Sequence, residues 1–173
     1  ETFEQTAAEI LRTIDRAKGN NDIPFSVFKT TGIMSSEVLE TVSELIIKKE
    51  IQDVELIENQ LNHDQQGDWK RGYVRFMNLC ETAAQSKVQI FVDAEETWLQ
   101  PAIDMMATHA MQQFNQETAW IFNTLQMYRH DRLAYLQKQV AEKKCKYGYK
   151  LVRGAHMEKE RARAQKLGYQ DPI

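Results

Sequence analysis

Tyr149-Lys150-Leu151-Val152-Arg153-Gly154-Ala155-His156, running on into Met157-Glu158-Lys159-Glu160-Arg161-Ala162-Arg163-Ala164, is the stretch on which the fold turns. A short apolar run carries one lysine, breaks at a glycine and gives way to mixed charges at helical spacing. It reads as a strand at 149–152, a loop, and a helix over roughly 157–167 that stops at Gly168 as its C′ residue. That is one βα unit, and the same order recurs upstream. A third strand at 119–122 closes on Asn123, with a helix near 129–144 behind it. A second strand at 88–92 closes on Asp93 and is followed by a helix near 98–115. The first strand, 23–28, tolerates Pro24 because a missing donor at a strand start costs no ladder bond. After Gly32, Ser35 or Ser36 caps a helix carrying Val38, Leu39, Val42, Leu45 and Ile46. Residues 2–18 form an amphipathic helix that Gly19-Asn20-Asn21-Asp22 ends, and 69–86 form another. Between them, 50–68 is acidic and amide-rich with weak periodicity, and reads as a polar insertion or a surface helix with loops.

Short buried strands alternating with helices predict a parallel sheet covered by helices. An open doubly wound sheet and part of a (β/α)8 barrel both suit four units. No Gly-rich dinucleotide fingerprint is present, since Gly148 and Gly154 are too far apart, and there is no phosphate-binding loop. The reading favours the α/β class as a partial (β/α)8 barrel, about four βα units plus extra helices in one domain over 1–173. A whole barrel needs about 250 residues, so a piece of a larger catalytic domain is expected.

The 22 basic and 25 acidic side chains give a net charge of −3, which argues against a nucleic-acid partner. No apolar run reaches the roughly 20 residues of a membrane span, and the first residues do not form a secretory signal. Cys80 and Cys145 lack metal or disulfide spacing and fit a reducing compartment. His63, His109 and His130 have no ligands at metal spacing, and Met105, Met106 and Met111 read as core. Nucleophilic hydrolysis has no motif to support it.

In parallel α/β folds the chemistry gathers at the carboxyl ends of the strands. Those ends here offer Lys29 with Thr30 and Thr31; Asp93 with Ala94, Glu95 and Glu96; Asn123 with Thr124 and Gln126; and Lys150, Arg153 and His156. Lys150 is the most telling, because a lysine inside an apolar strand must snorkel or meet an anion. Alternation puts Lys150 and Val152 on one face and Leu151 and Arg153 on the other. Asp93 is the natural partner for Lys29 or Lys150, and Gly154 permits close approach of a cofactor.

The segment from Tyr149 to Ala164, continuing through Leu167-Gly168-Tyr169-Gln170-Asp171-Pro172-Ile173, closely resembles proline dehydrogenase. So do Val92-Asp93-Ala94-Glu95-Glu96-Thr97-Trp98-Leu99-Gln100-Pro101-Ala102 and Ile121-Phe122-Asn123-Thr124-Leu125-Gln126-Met127-Tyr128, in family order. Phe25 to Thr31 looks like the family's earlier lysine-bearing strand. The resemblance implies a distorted (β/α)8 barrel holding FAD, which oxidises L-proline to pyrroline-5-carboxylate and passes electrons to a membrane quinone. By position it implies catalytic roles for Lys29, Asp93 and Lys150. It implies flavin contacts from Ala94, Asn123, Lys150, Val152, Gly154 and Met157, and substrate contacts from Lys29, Asp93, Leu151 and His156. Lysine at 150 matches the eukaryotic-like monofunctional branch. Cationic donors beside a reduced flavin make physical sense, because they stabilise developing negative charge.

Two departures accompany the likeness. His156 stands where the family usually has tyrosine, which bears on substrate choice, and a histidine can titrate near neutral pH. The family's later strands and its final, carboxylate-binding helix lie outside these residues, so the fragment alone is expected to be catalytically incomplete. Two alternatives stand beside this reading. One is a Schiff-base, aldolase-like half barrel using Lys29 or Lys150. The other is a non-catalytic half barrel that self-associates through its open sheet edges. The expected compartment is a bacterial cytosol with peripheral membrane contact, or a mitochondrial matrix for a eukaryotic source.

Overall fold

The computed structural model describes residues 2–173. Its centre is a four-stranded, all-parallel sheet in the order β1-β2-β3-β4, formed by β1 (Phe25–Phe28), β2 (Gln89–Val92), β3 (Ile121–Gln126) and β4 (Tyr149–Val152). Strands that are neighbours in sequence are neighbours in space, which is the progression of a (β/α)8 barrel rather than of a doubly wound sheet.

The helices are α1 (Phe3–Ala17), α2 (Ser36–Lys49), α3 (Val54–Glu58), α4 (His63–Gln85), α5 (Gln100–Phe114), α6 (Arg132–Glu142) and α7 (Met157–Leu167). Local chemistry starts several of them. Thr2 and Gln5 close a capping box on α1, and Asn62 and Gln65 close another on α4. The Asp53 side chain accepts from the Leu56 amide at the head of α3. Pro101 occupies the first turn of α5, where its missing N–H is no loss. The core lies between the sheet and α1, α2, α4 and α5. Ile14, Leu39, Trp69, Phe76, Ile90, Ile103, Met106, Met111 and Ile121 are sealed within it.

Several boundaries sharpen or shift the sequence reading. β1 starts at Phe25, beyond Pro24. The stretch 50–68 contains α3 and the first turns of α4, anchored by the buried Ile57 and Leu61. Its amide-rich surface hides the helical spacing, while its caps do not depend on that spacing. β3 runs from Ile121 to Gln126, so Asn123, Thr124 and Gln126 are strand residues rather than loop residues. His130 precedes α6 in a turn, its amide bonded to the Pro172 carbonyl at 3.1 Å.

Candidate active site

Strand parity divides the sheet into a helix-covered face and an open face. Ser26, Phe28, Ile90, Val92, Ile121, Asn123 and Leu125 turn inward to the helices and are buried. Phe25, Val27, Phe91 and Phe122 form an aromatic floor on the open face. Phe25 stacks on Phe91 at 4.5 Å, and Phe122 meets Phe91 edge-on at 5.3 Å. Phe25 and Val27 remain 41% and 53% exposed, apolar surface that nothing among the described residues covers.

The polar residues stand one step further toward the strand ends. Thr124 pairs in register with Lys150, Val92 with Asn123, and Phe28 with Val92. Advancing that register by one residue brings Lys29, Asp93, Thr124 and Lys150 to one level on the open face. Lys150 Nζ donates to Asp93 Oδ1 at 2.5 Å and lies 5.6 Å from the centre of the Phe91 ring. The pair is about 30% exposed on each side. It is fixed enough to present charge and wet enough that its own contribution to stability is small. Lys29 is exposed and makes no ion pair among the described residues. The Asp93 amide donates to the Phe28 carbonyl at 2.9 Å, so the Lys29 end of β1 is tied to Asp93 through the backbone. Thr124 Oγ1 is used up on the Val92 carbonyl at 2.8 Å.

Beyond this level lie Gln126 and Val152, again in register. Gln126 Nε2 donates to the Glu95 carbonyl at 2.7 Å, and its Oε1 accepts from Arg129. Ala94 is buried in the turn after β2. Gly154 is exposed, and a Cβ built there would meet nothing closer than Met157 Sδ at 3.4 Å. His156 adopts φ 60° as the residue before α7, a left-handed conformation that histidine tolerates better than branched residues do. Its Nδ1 faces Glu96 Oε1 at 3.7 Å, and Lys159 Nζ reaches the same oxygen at 3.0 Å. Burial alone would raise the Glu96 carboxyl, but the bond from Lys159, its own backbone amide and the nearby His156 ring hold it below its ordinary value.

Two of the residues singled out from sequence lie elsewhere. The Asn123 amide points into the helix layer, where its Nδ2 donates to Asp104 Oδ1 at 2.8 Å. Leu151 is on the face opposite Lys150, level with Leu125, and 60% exposed. Gln126 is the amide of β3 on the open face. The polar period-two run Thr124, Gln126 marks that face in the sequence once β3 is allowed its full length.

Fold and strand-end geometry together define a segment of a (β/α)8-type barrel, with a polar layer at the carboxyl ends of the strands and an aromatic floor beneath. The family model for proline dehydrogenase matches residues 1–173, and the chain belongs to that family. It is 42% identical to the mitochondrial proline dehydrogenase 1 of Caenorhabditis elegans, over 68% of this chain and 20% of that protein. It is 29% identical to the hydroxyproline dehydrogenase of Xenopus laevis, over 99% of this chain and 40% of that one. Among solved structures, proline utilization A from Bdellovibrio bacteriovorus inactivated by N-propargylglycine superposes with a TM-score of 0.71 at 13% identity. The superposition covers 99% of this chain and 18% of that one. The chain therefore spans well under half the length of these relatives.

Proposed function

We propose that these residues form the first half of an active site that oxidises L-proline to pyrroline-5-carboxylate with FAD, the electrons passing on to a quinone. The observation that carries the reading is the Lys150–Asp93 pair held over an aromatic floor at the strand ends. A planar apolar ring with a polar edge fits this surface. Phe91, Phe122 and Val152 offer the flat contact and Lys150 the polar edge, Gly154 leaves room for close approach, and the buried Gln126, bonded to Glu95 and Arg129, holds the turn beside them. When bound, FAD supplies the acceptor for the hydride that leaves the proline ring carbon next to nitrogen, while the nitrogen gives up a proton.

The chain's own residues then have separable roles. Lys150 presents a positive charge where electron density accumulates, which lowers the barrier electrostatically. Asp93 holds that ammonium in place and faces the side from which an amino-acid nitrogen would approach. Lys29, without an ion pair among the described residues and level with Asp93, is placed to meet the substrate. His156 and Met157 border the rim where β4 gives way to α7. The Schiff-base reading has less to stand on, because among the described residues Lys29 is exposed and Lys150 is paired.

For a eukaryotic source the compartment is the mitochondrial matrix, by likeness to the mitochondrial relatives. For a bacterial source it is the cytosol, with peripheral contact to the quinone-bearing membrane. Among the described residues no helix is long and apolar enough to cross a membrane.

The test is the visible spectrum of the full-length flavoprotein with and without proline. The flavin band should bleach on adding proline. Asp93→Ala should keep the band and slow bleaching by about 100-fold, the usual loss for one preorganised charge. A flavin band indifferent to proline in the parent protein would refute the proposal.

A further inference from the structure

We propose that Glu95 is a positioning residue that fixes the Lys29 end of β1 beside Asp93, an inference that rests on the proline-oxidising reading above. Glu95 lies two residues after Asp93 and is only 4% exposed. Both of its carboxylate oxygens are committed to one residue of another loop. Thr31 N donates to Oε1 at 2.9 Å, and Thr31 Oγ1 donates to Oε2 at 2.5 Å. No cation pairs with it among the described residues, so a buried charge is spent on holding a turn. The Glu95 backbone is held as firmly. Its amide donates to Gln100 Oε1 at 2.9 Å, and its carbonyl accepts from Gln126 Nε2 at 2.7 Å.

What is being held is the short 3₁₀ turn at Thr30–Gly32, which begins directly after Lys29. Its internal bonds are Gly32 N to Lys29 O and Ile33 N to Thr30 O, at 3.1 and 3.0 Å. A turn of that length is marginal by itself. The Thr31 amide goes to Glu95, and charge-assisted bonds are the stronger kind. The exposed Lys29 side chain has no ion pair among the described residues to aim it, so its direction depends on where the backbone on either side is pinned. On one side the pin is the Phe28 carbonyl on the Asp93 amide, and on the other it is Thr31 on Glu95. Both pins belong to the segment that carries Asp93, so Lys29 and Asp93 move as one body.

The same clasp occurs a second time. Glu160 of α7, fully buried, accepts from Thr97 N at 2.7 Å and from the Thr97 hydroxyl. Two carboxylate-to-threonine clasps thus link in series the loops after β1, β2 and β4, the three strands that bring Lys29, Asp93 and Lys150.

The experiment uses the full-length flavoprotein with Glu95→Ala, Glu95→Gln and Thr31→Val. Proline kinetics are followed together with backbone hydrogen exchange over 29–32. Glu95→Ala should raise KM and lower kcat/KM by about tenfold, and speed exchange at 29–32 by a similar factor, as expected for two lost bonds to a charged group. Glu95→Gln still offers one acceptor and one donor to Thr31 and should return to within about threefold of the parent. Thr31→Val, which leaves Glu95 in place, should reproduce part of the alanine defect in both readouts. The proposal fails if Glu95→Ala leaves exchange at 29–32 unchanged or kcat/KM within twofold. It also fails if glutamine is no better than alanine, which would make the charge, not the clasp, the active element. A parent protein that does not oxidise proline overturns the functional reading instead, whatever the exchange data show.

Discussion

Asn123 and Gln126 stand three residues apart on β3 and face opposite ways, so their amides serve different ends. Asn123 is sealed on the helix side and gives its amide N–H to Asp104, which also accepts from Gln100 Nε2 and Arg132. Asn123→Ala should destabilise the protein by about 1–3 kcal/mol, the range for an orphaned buried polar partner, and leave the flavin spectrum alone. Gln126→Ala removes the open-face amide and its bond to the Glu95 carbonyl. Gln126 is equally buried and bonded, so stability should fall by a similar amount, but here the flavin band should also shift, through the turn that carries Ala94. Chemical denaturation and a visible spectrum on both variants separate the roles. A spectral change in Asn123→Ala alone would reverse this assignment. The sequence cannot decide between the two residues by type, because both carry primary amides. Only the register of β3 decides, and one residue of register moves a side chain across the sheet.

Elements were easier to read than their ends. The runs at 88–92 and 149–152 announce β2 and β4 because they are short, mostly apolar and β-branched or aromatic, although β2 buries only one face, at Ile90 and Val92, and β4 has no sealed residue. β3 reads short in the sequence because Thr124 and Gln126 look like the start of a loop, although on a barrel strand they are residues of the open face. Over 50–68 the sequence leaves a polar insertion and a surface helix with loops both open, because the amide-rich surface hides the spacing of α3 and of the start of α4; the Asn62–Gln65 capping box favours the helix. The pairing of Lys150 with Asp93 over Lys29 is not legible either, since Lys29 follows its strand and Lys150 lies inside one, and only the register between strands brings them to one level. α5 adds a consequence that no periodicity reveals. His109 lies on it at a cleft of about 300 Å³ shared with α6, near Arg132 and Tyr135, with Tyr73 Oη 3.4 Å from its Nδ1. Burial pushes the imidazole below its ordinary value of 6.5, with Asp53 and the Gln52 backbone opposing in part. A depressed native value means that the unfolded chain binds the proton first. The stability is therefore present above about pH 6.5 and lost as pH falls below it. Thermal midpoints measured from about pH 7.5 down to about pH 5.5 should fall more steeply for the parent than for His109→Gln. Parallel curves would show that His109 carries none of the dependence.

At the scale of the molecule, the sheet has two unpaired edges, at β1 and β4, and an open face that a barrel would close. On that face Phe25 and Val27 leave 41% and 53% of their surface to solvent. Unpaired parallel edges and clustered apolar side chains are surfaces that soluble proteins normally cover. Produced as these 173 residues alone, the chain should therefore self-associate, most directly by edge-to-edge pairing that brings two open faces together. Light scattering behind size exclusion should show a concentration-dependent mass above 20.2 kDa. A charge placed on the inner face, as in Val27→Lys, should shift the distribution toward monomer without lowering the thermal midpoint, because Val27 is on the face away from the core. The same piece should neither retain FAD nor oxidise proline, since four strands supply one side of the site. If it ran as a strict monomer at high concentration, the edges would have to be protected by some other means. If it were monomeric and bleached a bound flavin with proline, Lys29, Asp93 and Lys150 would suffice for the chemistry, and the remainder of the barrel would serve mainly to exclude water.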